Sequence, residues 1–502
     1  MTVSFFSYTL LIQILSLLYL AILNLVINKR RTRKLISFYT ILINLVLNTI
    51  LFILSVFNGI VEENSIFELS IGTLLFVDII YIFGLLLSIF SRIESDEYES
   101  EKISDCIILL IISSLIGSIL TMNLVSFISC FLVVNLLIGC IFFIAEHKKE
   151  LNLVKFYFIG FIFTVTCLVL SSVVIFIETR TVLLYEINQI EFSNTINIFV
   201  SFLMILGIGI PFGMFPFFIY HLRKFFQNTS FTYLFLYSMF NYISAFLLLR
   251  ILHIFTFSLV FNGFIIFFLS SLGLIISLFY SITELFTSFD GSTFSIKKLF
   301  GYSTVSDFNV FLLLSSILAL INLEDNPFYF EGVIFFMLII MFNKFLILYT
   351  FYPLILETYD DNLKILGNFG TKYKFFGLIL FLSGILLIFP LSLSGTFNLL
   401  NIYTLNELRI NSLLRLIATL TFSLFIIYLF VNLIFISIIY TRIYFNNKAE
   451  YTERENIKRI SLYHLLPIPV LFSFILTYIV LFFVGNNFIF ELFKEFFIIS
   501  NL

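Results

Sequence analysis

The chain has 502 residues, 61% of them hydrophobic and 12% charged, with a formal net charge of −2. That is more apolar side chain than a soluble core of this size can bury, so the sequence reads as a polytopic membrane protein. The charge balance excludes a nucleic-acid partner, which would need a basic face. The cysteines (Cys106, Cys130, Cys140, Cys167) and histidines (His147, His221, His253, His464) stand singly, with neither metal-ligand spacing nor a disulfide pattern.

A bilayer core about 30 Å thick needs about 20 apolar residues at 1.5 Å each. Fourteen runs meet that length, near 4–27, 36–61, 67–91, 104–121, 123–145, 156–179, 195–220, 231–254, 256–282, 303–322, 328–356, 375–399, 411–441 and 465–485. They are continuous rather than alternating, which excludes a β-barrel and gives an all-α fold. The first run has no basic stretch before it and no small-residue cleavage site after it, so it is expected to stay as a helix. No polar stretch is long enough to fold alone, so residues 1–502 read as one membrane domain.

Charge alternates between the connections. Those after odd-numbered runs hold Lys29, Arg30, Arg31, Arg33, Lys34, Lys148, Lys149, Arg223, Lys224, Lys297 and Lys298. Those after even-numbered runs hold mostly Glu62, Glu63, Glu186, Glu191, Glu324 and Asp325. Basic connections face the cytoplasm-equivalent side. The acidic stretch "ESDEYESEK" (Glu94 to Lys102) sits on that side as an exception and reads as a solvated loop.

Four stretches carry a resemblance. "SIKKLFGYSTVSDFNVFLLLSSIL" from Ser295, "LNLVKFYFIGFIFTVTCLVLSSVVIF" from Leu151, "FPFFIYH" (Phe215 to His221) with "NYISAFLLLR" (Asn241 to Arg250), and "FPLSLSGTFN" (Phe389 to Asn398) come in a fixed order. Together they resemble the antiporter-like membrane subunits of respiratory complex I, in the subunit 2 branch. The subunit 4 and 5 branches are less similar, because the acidic segment they carry after the seventh helix is not seen. The resemblance implies two inverted five-helix repeats, here about 104–254 and 256–441, after three leading helices (about 4–91) and before a last helix (about 465–485). It also implies broken seventh and twelfth helices, near Pro211 and near Ser392 to Gly395. Subunits 4L and 4, accessory subunits and phospholipids would be its partners. It would hold no cofactor and no catalytic centre, the redox chemistry of NADH and ubiquinone belonging to other subunits.

The family's buried lysines and glutamate change charge state at the membrane midplane, and at those positions this sequence departs. The lysine positions fall on Pro211, Asn241 and Asn398, or Leu399 with one residue inserted, and the glutamate position falls between Cys130 and Asn135, where there is no acid. None of these can titrate near neutral pH, although asparagine can still hold water. The expectation is a proton relay lost or altered. Pro211 fits either a broken helix or a simple kink.

Three charges remain inside apolar runs: Lys344, Asp78 and Asp307. Lys344 is either a functional cation, the one candidate rescue of the relay, or a structural lysine facing a neighbouring subunit. Asp78 reads as a cap or bridge to a nearby helix. Asp307 stands where the family often places a histidine, but near the polar end of its run, where hydration alone would account for it. Lys297 and Lys298 read as headgroup anchors. A purely structural spacer is one rival reading. The other, a free-standing cation/proton antiporter, is disfavoured because the intramembrane carboxylate or lysine pair it needs is not evident. With 71 Phe and no Trp, the composition looks like that of a gene drifted toward A and T, which suggests an organelle genome or an AT-rich bacterium; with the resemblance, the expectation is a mitochondrial inner membrane and organelle encoding, basic loops on the matrix side.

Overall fold

The computed structural model describes residues 2–58, 62–63, 68–69, 71–94, 98–145, 151–190, 192–214, 231–254, 259–287, 296–320, 333, 336–348, 351, 383 and 412–445. In chain order the helices are α1 (Thr2–Val26), α2 (Arg30–Asn58), α3 (Ile71–Glu94), α4 (Tyr98–Leu120), α5 (Leu124–Ala145), α6 (Leu151–Thr179), α7 (Leu184–Gln189) and α8 (Asn194–Gly209). They continue with α9 (Phe231–Ile254), α10 (Leu259–Thr287), α11 (Ile296–Leu320), α12 (Phe336–Leu348) and α13 (Ser412–Phe445). Between α2 and α3 two-residue strands, β1 (Glu62–Glu63) and β2 (Glu68–Leu69), pair antiparallel. Every predicted run except the twelfth and fourteenth coincides with a helix; apart from Ser383, those two runs lie outside the described residues, as do the expected break near Ser392 to Gly395 and Asn398.

Among the described residues, seven helices are long and apolar enough to cross a membrane. Their polarity is turned inward. On α2, Tyr39, Ile43, Val46 and Ile50 are exposed while Ser37, Asn44 and Asn48 are buried. In hydrocarbon the outward face costs nothing to leave apolar, and the polar groups must find partners within the protein.

Helix ends depart from the hydropathy runs wherever charge enters a helix. The expectation that Arg30 to Lys34 lie in a loop is corrected: they open α2, and Arg33 is buried with its Nε 2.8 Å from Asp105 Oδ2. The acidic stretch is likewise not a loop throughout, since Glu94 closes α3 and Tyr98 to Lys102 begin α4. Lys297 and Lys298 lie in the first turn of α11, and α10 runs past Ser281 to take in Glu284. Helix propensity and paired charges extend the helices where a hydropathy window stops.

The chain divides into two compact units, one formed by residues 1–211, 246–262 and 487–502 and the other by 212–245 and 263–486. In the first, the turn between α4 and α5 pairs with the turn after α6: Leu124 N donates to Val182 O and Leu184 N to Met122 O. Asn123 caps α5, its Oδ1 accepting from Val125 N at 2.9 Å and Ser126 N at 3.3 Å. Arg250 donates to Ile119 O at 2.6 Å and Thr121 O at 3.1 Å, placing a cation on the carbonyl end of α4. In the second unit, α10 and α11 approach closely enough that a Cβ at Gly263 would meet the Ser316 carbonyl at 3.0 Å.

The α-helix leading to Pro211 stops at Gly209 and tightens into a 3-10 turn, Ile210–Phe212. Gly213 follows with φ 93°, in the region that only glycine occupies without strain. Proline withholds an N–H and its ring crowds the preceding turn, so regular hydrogen bonding ends here. Residues 215–230 lie outside those described.

Candidate functional site

The second unit contains a buried ion pair. Lys344 on α12 and Asp307 on α11 are 5% and 2% exposed, and Lys344 Nζ stands 3.1 Å from Asp307 Oδ2. The same ammonium donates to Ser303 Oγ at 2.5 Å and lies 5.8 Å from the centre of the Phe300 ring. Two phenols complete the carboxylate: Tyr242 on α9 donates to Oδ2 at 2.6 Å, and Tyr428 on α13 donates to Oδ1 at 2.5 Å. Four helices thus converge on one carboxylate. Its oxygens accept from three donors, the satisfaction that a carboxylate buried this deeply requires.

This geometry corrects the expectation that Asp307 is an acid hydrated near the polar end of its run. Because α11 starts at Ile296, Asp307 is eleven residues in, about 16 Å along the axis, and far from the polar end. Lys344 faces the interior of its own chain rather than a neighbouring subunit. The carboxylate–lysine pair that was not evident in the sequence is present, formed by residues 37 positions apart.

Around the pair lies a set of small polar groups. Ser238 and Thr304 hydroxyls are 3.3 Å apart between α9 and α11. Asn309 Nδ2 donates to Val305 O at 2.8 Å and to Gly213 O at 3.3 Å. A Cβ at Gly273 would collide with the Asn309 amide, so α10 reaches this position only because residue 273 has no side chain. Nearer the start of α11, Lys298 Nζ is 3.7 Å from Glu284 Oε1, both largely buried, and Tyr302 stacks on Tyr280 at 5.4 Å. Lys298 is therefore a paired residue, not a headgroup anchor.

The positions that the resemblance led one to expect as lysine replacements hold uncharged side chains, as their residue types dictate. Asn241 is fully buried on α9, one turn from Tyr237, whose phenol its side-chain amide meets. Pro211 is half-buried in the 3-10 turn. In the first unit, Asn135 is buried on α5 and donates back to Phe131 O at 3.1 Å, while its own backbone carbonyl accepts from Tyr157 Oη at 2.8 Å. Lys155, within the quoted α6 stretch, is exposed.

Asp78, also in the first unit, bridges two helices. Its Oδ1 accepts from Asn48 Nδ2 at 2.9 Å and Thr49 Oγ1 at 3.3 Å, both on α2. Among the described residues no group of three His, Cys, Asp or Glu side chains converges as a metal site would require. Asp307 can exchange a proton and pair its charge with Lys344, whereas Asp78, held by neutral donors, can exchange a proton.

Sequence reasoning missed Tyr242, Tyr428, Ser303 and Glu284. Tyrosines are too common here, 25 in the chain, for two of them to signal a site. Glu284 had a usable signal: it lies just past a predicted helix end and fourteen residues before Lys298, within reach of a short helical hairpin.

Neither a family model nor a curated protein matches the sequence. The fold, however, matches solved structures over nearly its whole length. A chain of the membrane-bound sulfane sulfur reductase, an archaeal respiratory membrane complex, superposes with a TM-score of 0.70 at 14% identity, covering 98% of this chain and 96% of that one. A chain of respiratory complex I from Thermus thermophilus with bound NADH gives 0.68 at 14% identity, covering 97% and 98%. A chain of the same complex with bound aureothin gives 0.66 at 13% identity, covering 95% and 98%. This is a membrane protein with the fold of chains from respiratory membrane complexes.

Proposed function

We propose that the chain is a membrane-arm subunit of a proton-pumping NADH:quinone oxidoreductase, in the subunit 2 branch, whose midplane charge has moved from positions 211, 241 and 398 to the Asp307–Lys344 pair. The observation that carries this reading is the buried pair itself, held by Tyr242, Tyr428 and Ser303. Asn241, one residue from Tyr242, keeps a polar site without a charge. A proton passing from Lys344 to Asp307 leaves both neutral, so the pair can change its charge state without changing its net charge. That is the property a relay member needs in a low-dielectric interior.

The Lys298–Glu284 pair supports a connection towards the basic face. Lys298 lies nine residues before Asp307 on α11, about 13.5 Å away along the axis. The hydroxyls of Tyr302, Ser303 and Thr304 fall between them. The subunit would have no redox centre of its own. It would sit beside subunits 4L and 4, with accessory subunits and phospholipids. The AT-drifted composition fits an organelle genome or an AT-rich bacterium; in the first case the chain would lie in the mitochondrial inner membrane with its basic loops on the matrix side and ubiquinone as the complex's quinone.

A second reading, a structural spacer, is favoured by the closure of the network: three donors on one carboxylate also describe a static brace. Purification of the chain in mild detergent tests membership. It should migrate in a large assembly that oxidises NADH; recovery of the chain alone, with no flavin- or iron–sulfur-bearing partners, overturns the proposal.

A further inference from the structure

The first unit contains a file of buried polar groups that the Asp307–Lys344 pair does not use. At the basic end of α2, Arg33 pairs with Asp105, Ser37 donates to Arg33 O, and Asn24 Nδ2 on α1 donates to Ser37 Oγ at 2.9 Å. A cavity lined by Lys34, Ser37, Gly84, Ser88 and Asp105 adjoins them, with about 20 Å³ of space, enough for one water. Further along, Asn44 Nδ2 donates to Ser16 Oγ at 2.8 Å and Tyr81 Oη to Gln13 Oε1 at 3.2 Å. The file ends where Asn48 and Thr49 donate to Asp78, Asn48 also bonding Leu74 O at 2.8 Å.

From Lys34 to Asn48 the rise along α2 is about 21 Å, and Asp78 lies about 10 Å from the start of α3. The file therefore runs through most of a bilayer core. Three of its amides are incompletely satisfied among the described residues: Gln13 Nε2, Asn24 Oδ1 and Asn48 Oδ1, on side chains 1%, 0% and 0% exposed. Buried polar atoms without protein partners are the usual places for ordered water, at three heights here. The outward residues beside them, such as Ile12, Ile22 and Ile43, are apolar and exposed, so the water would enter along the file and not from the lipid.

We propose that this file in α1 to α3 is a hydrated path by which protons reach Asp78 from the basic end of α2, making Asp78 a second proton-binding site of the chain. The carboxylate takes a proton from the adjoining water, which is re-protonated from the next water in the file; release runs the same transfers backwards. Asn48 and Thr49 hold the carboxylate with neutral donors alone. Among the described residues on the helices packed here, the other titratable groups facing inward are Tyr81 on α3 itself, Arg33 and Lys34 at the far end of α2, Asp105 and Cys106 early on α4, and Arg250 on α9, which packs on α3 through Phe246 and Phe76 and is bound at the carbonyl end of α4; Tyr8 and Tyr19 on α1 face outward.

The test is infrared difference spectroscopy on the full-length chain in proteoliposomes, cycling pH in H₂O and D₂O. A carboxylic C=O band should appear with pH, vanish in Asp78→Asn, return at a shifted position in Asp78→Glu, and exchange with D₂O. Gln13→Leu and Asn24→Leu should keep the band but slow its exchange about tenfold or more, the factor given by a barrier higher by about 1.36 kcal/mol. Three results would overturn the proposal: no band assignable to residue 78, exchange unaffected by either leucine, or loss of the band on adding sodium at fixed pH, which would make this a metal-cation site. Lys344→Met should leave the band intact, so this result stands or falls independently of complex membership.

Discussion

Removing one partner of the Asp307–Lys344 pair should cost far more than removing both. In Lys344→Met, Asp307 keeps Tyr242 and Tyr428 but loses the ammonium 3.1 Å away, and Ser303 loses its donor. Breaking one side of a buried pair typically costs about 3–5 kcal/mol, because a charge is left uncompensated. The Ser303 hydrogen bond, also made to a charged group, adds about 1.5–3 kcal/mol, the range for such bonds. In the double variant Asp307→Asn/Lys344→Met no charge remains, the amide oxygen still accepts from a tyrosine, and the Lys-to-Met exchange nearly conserves volume, a change usually costing less than about 1.5 kcal/mol. Reversible unfolding of the full-length chain in mixed detergent–SDS micelles, run as a double-mutant cycle, should give a coupling energy of several kcal/mol. Additive single variants would mean that the two charges do not meet in the folded protein, and the site described above would fail with them.

Other outcomes follow from single contacts. Tyr428→Phe removes a 2.5 Å hydrogen bond to the Asp307 carboxylate and should cost about 1.5–3 kcal/mol in the same unfolding measurement, the range for bonds to charged groups. Arg250→Met uncovers the Ile119 and Thr121 carbonyls at the end of α4, and should raise amide exchange locally in α4 and α5 more than elsewhere. Gly207→Ala would set a methyl 2.7 Å from the Leu168 side chain between α6 and α8, and should destabilise the chain by about 1–3 kcal/mol through overpacking.

The helices were legible in the sequence because a bilayer imposes a length on them. Their ends were not, since hydropathy rejects the charged residues that open α2 and α11 although these residues stay helical. That error at a helix end had a chemical consequence: starting α11 at residue 303 makes Asp307 a surface acid, whereas starting it at Ile296 puts it deep inside. That Pro211, Asn241 and Asn135 carry no titratable group could be read directly, since residue type alone decides it. The Asp307–Lys344 pair could not be read, because the two residues belong to different helices and nothing in one helix announces the register of another. An acid such as Asp78 inside an apolar run signals a helix bridge by itself. The file behind it depends on which faces of α1, α2 and α3 meet, a property of packing and not of any one segment.

The most direct test of the central claim is the proton-to-electron ratio of the assembled complex carrying Asp307→Asn/Lys344→Met, chosen because the double variant removes the charges while sparing the fold. Proton uptake or release during NADH oxidation, measured in sealed proteoliposomes, should fall relative to the unaltered complex while the rate of NADH oxidation with the membrane uncoupled is retained. A ratio equal to that of the unaltered complex would contradict the account, leaving the pair as a brace and the subunit as a spacer.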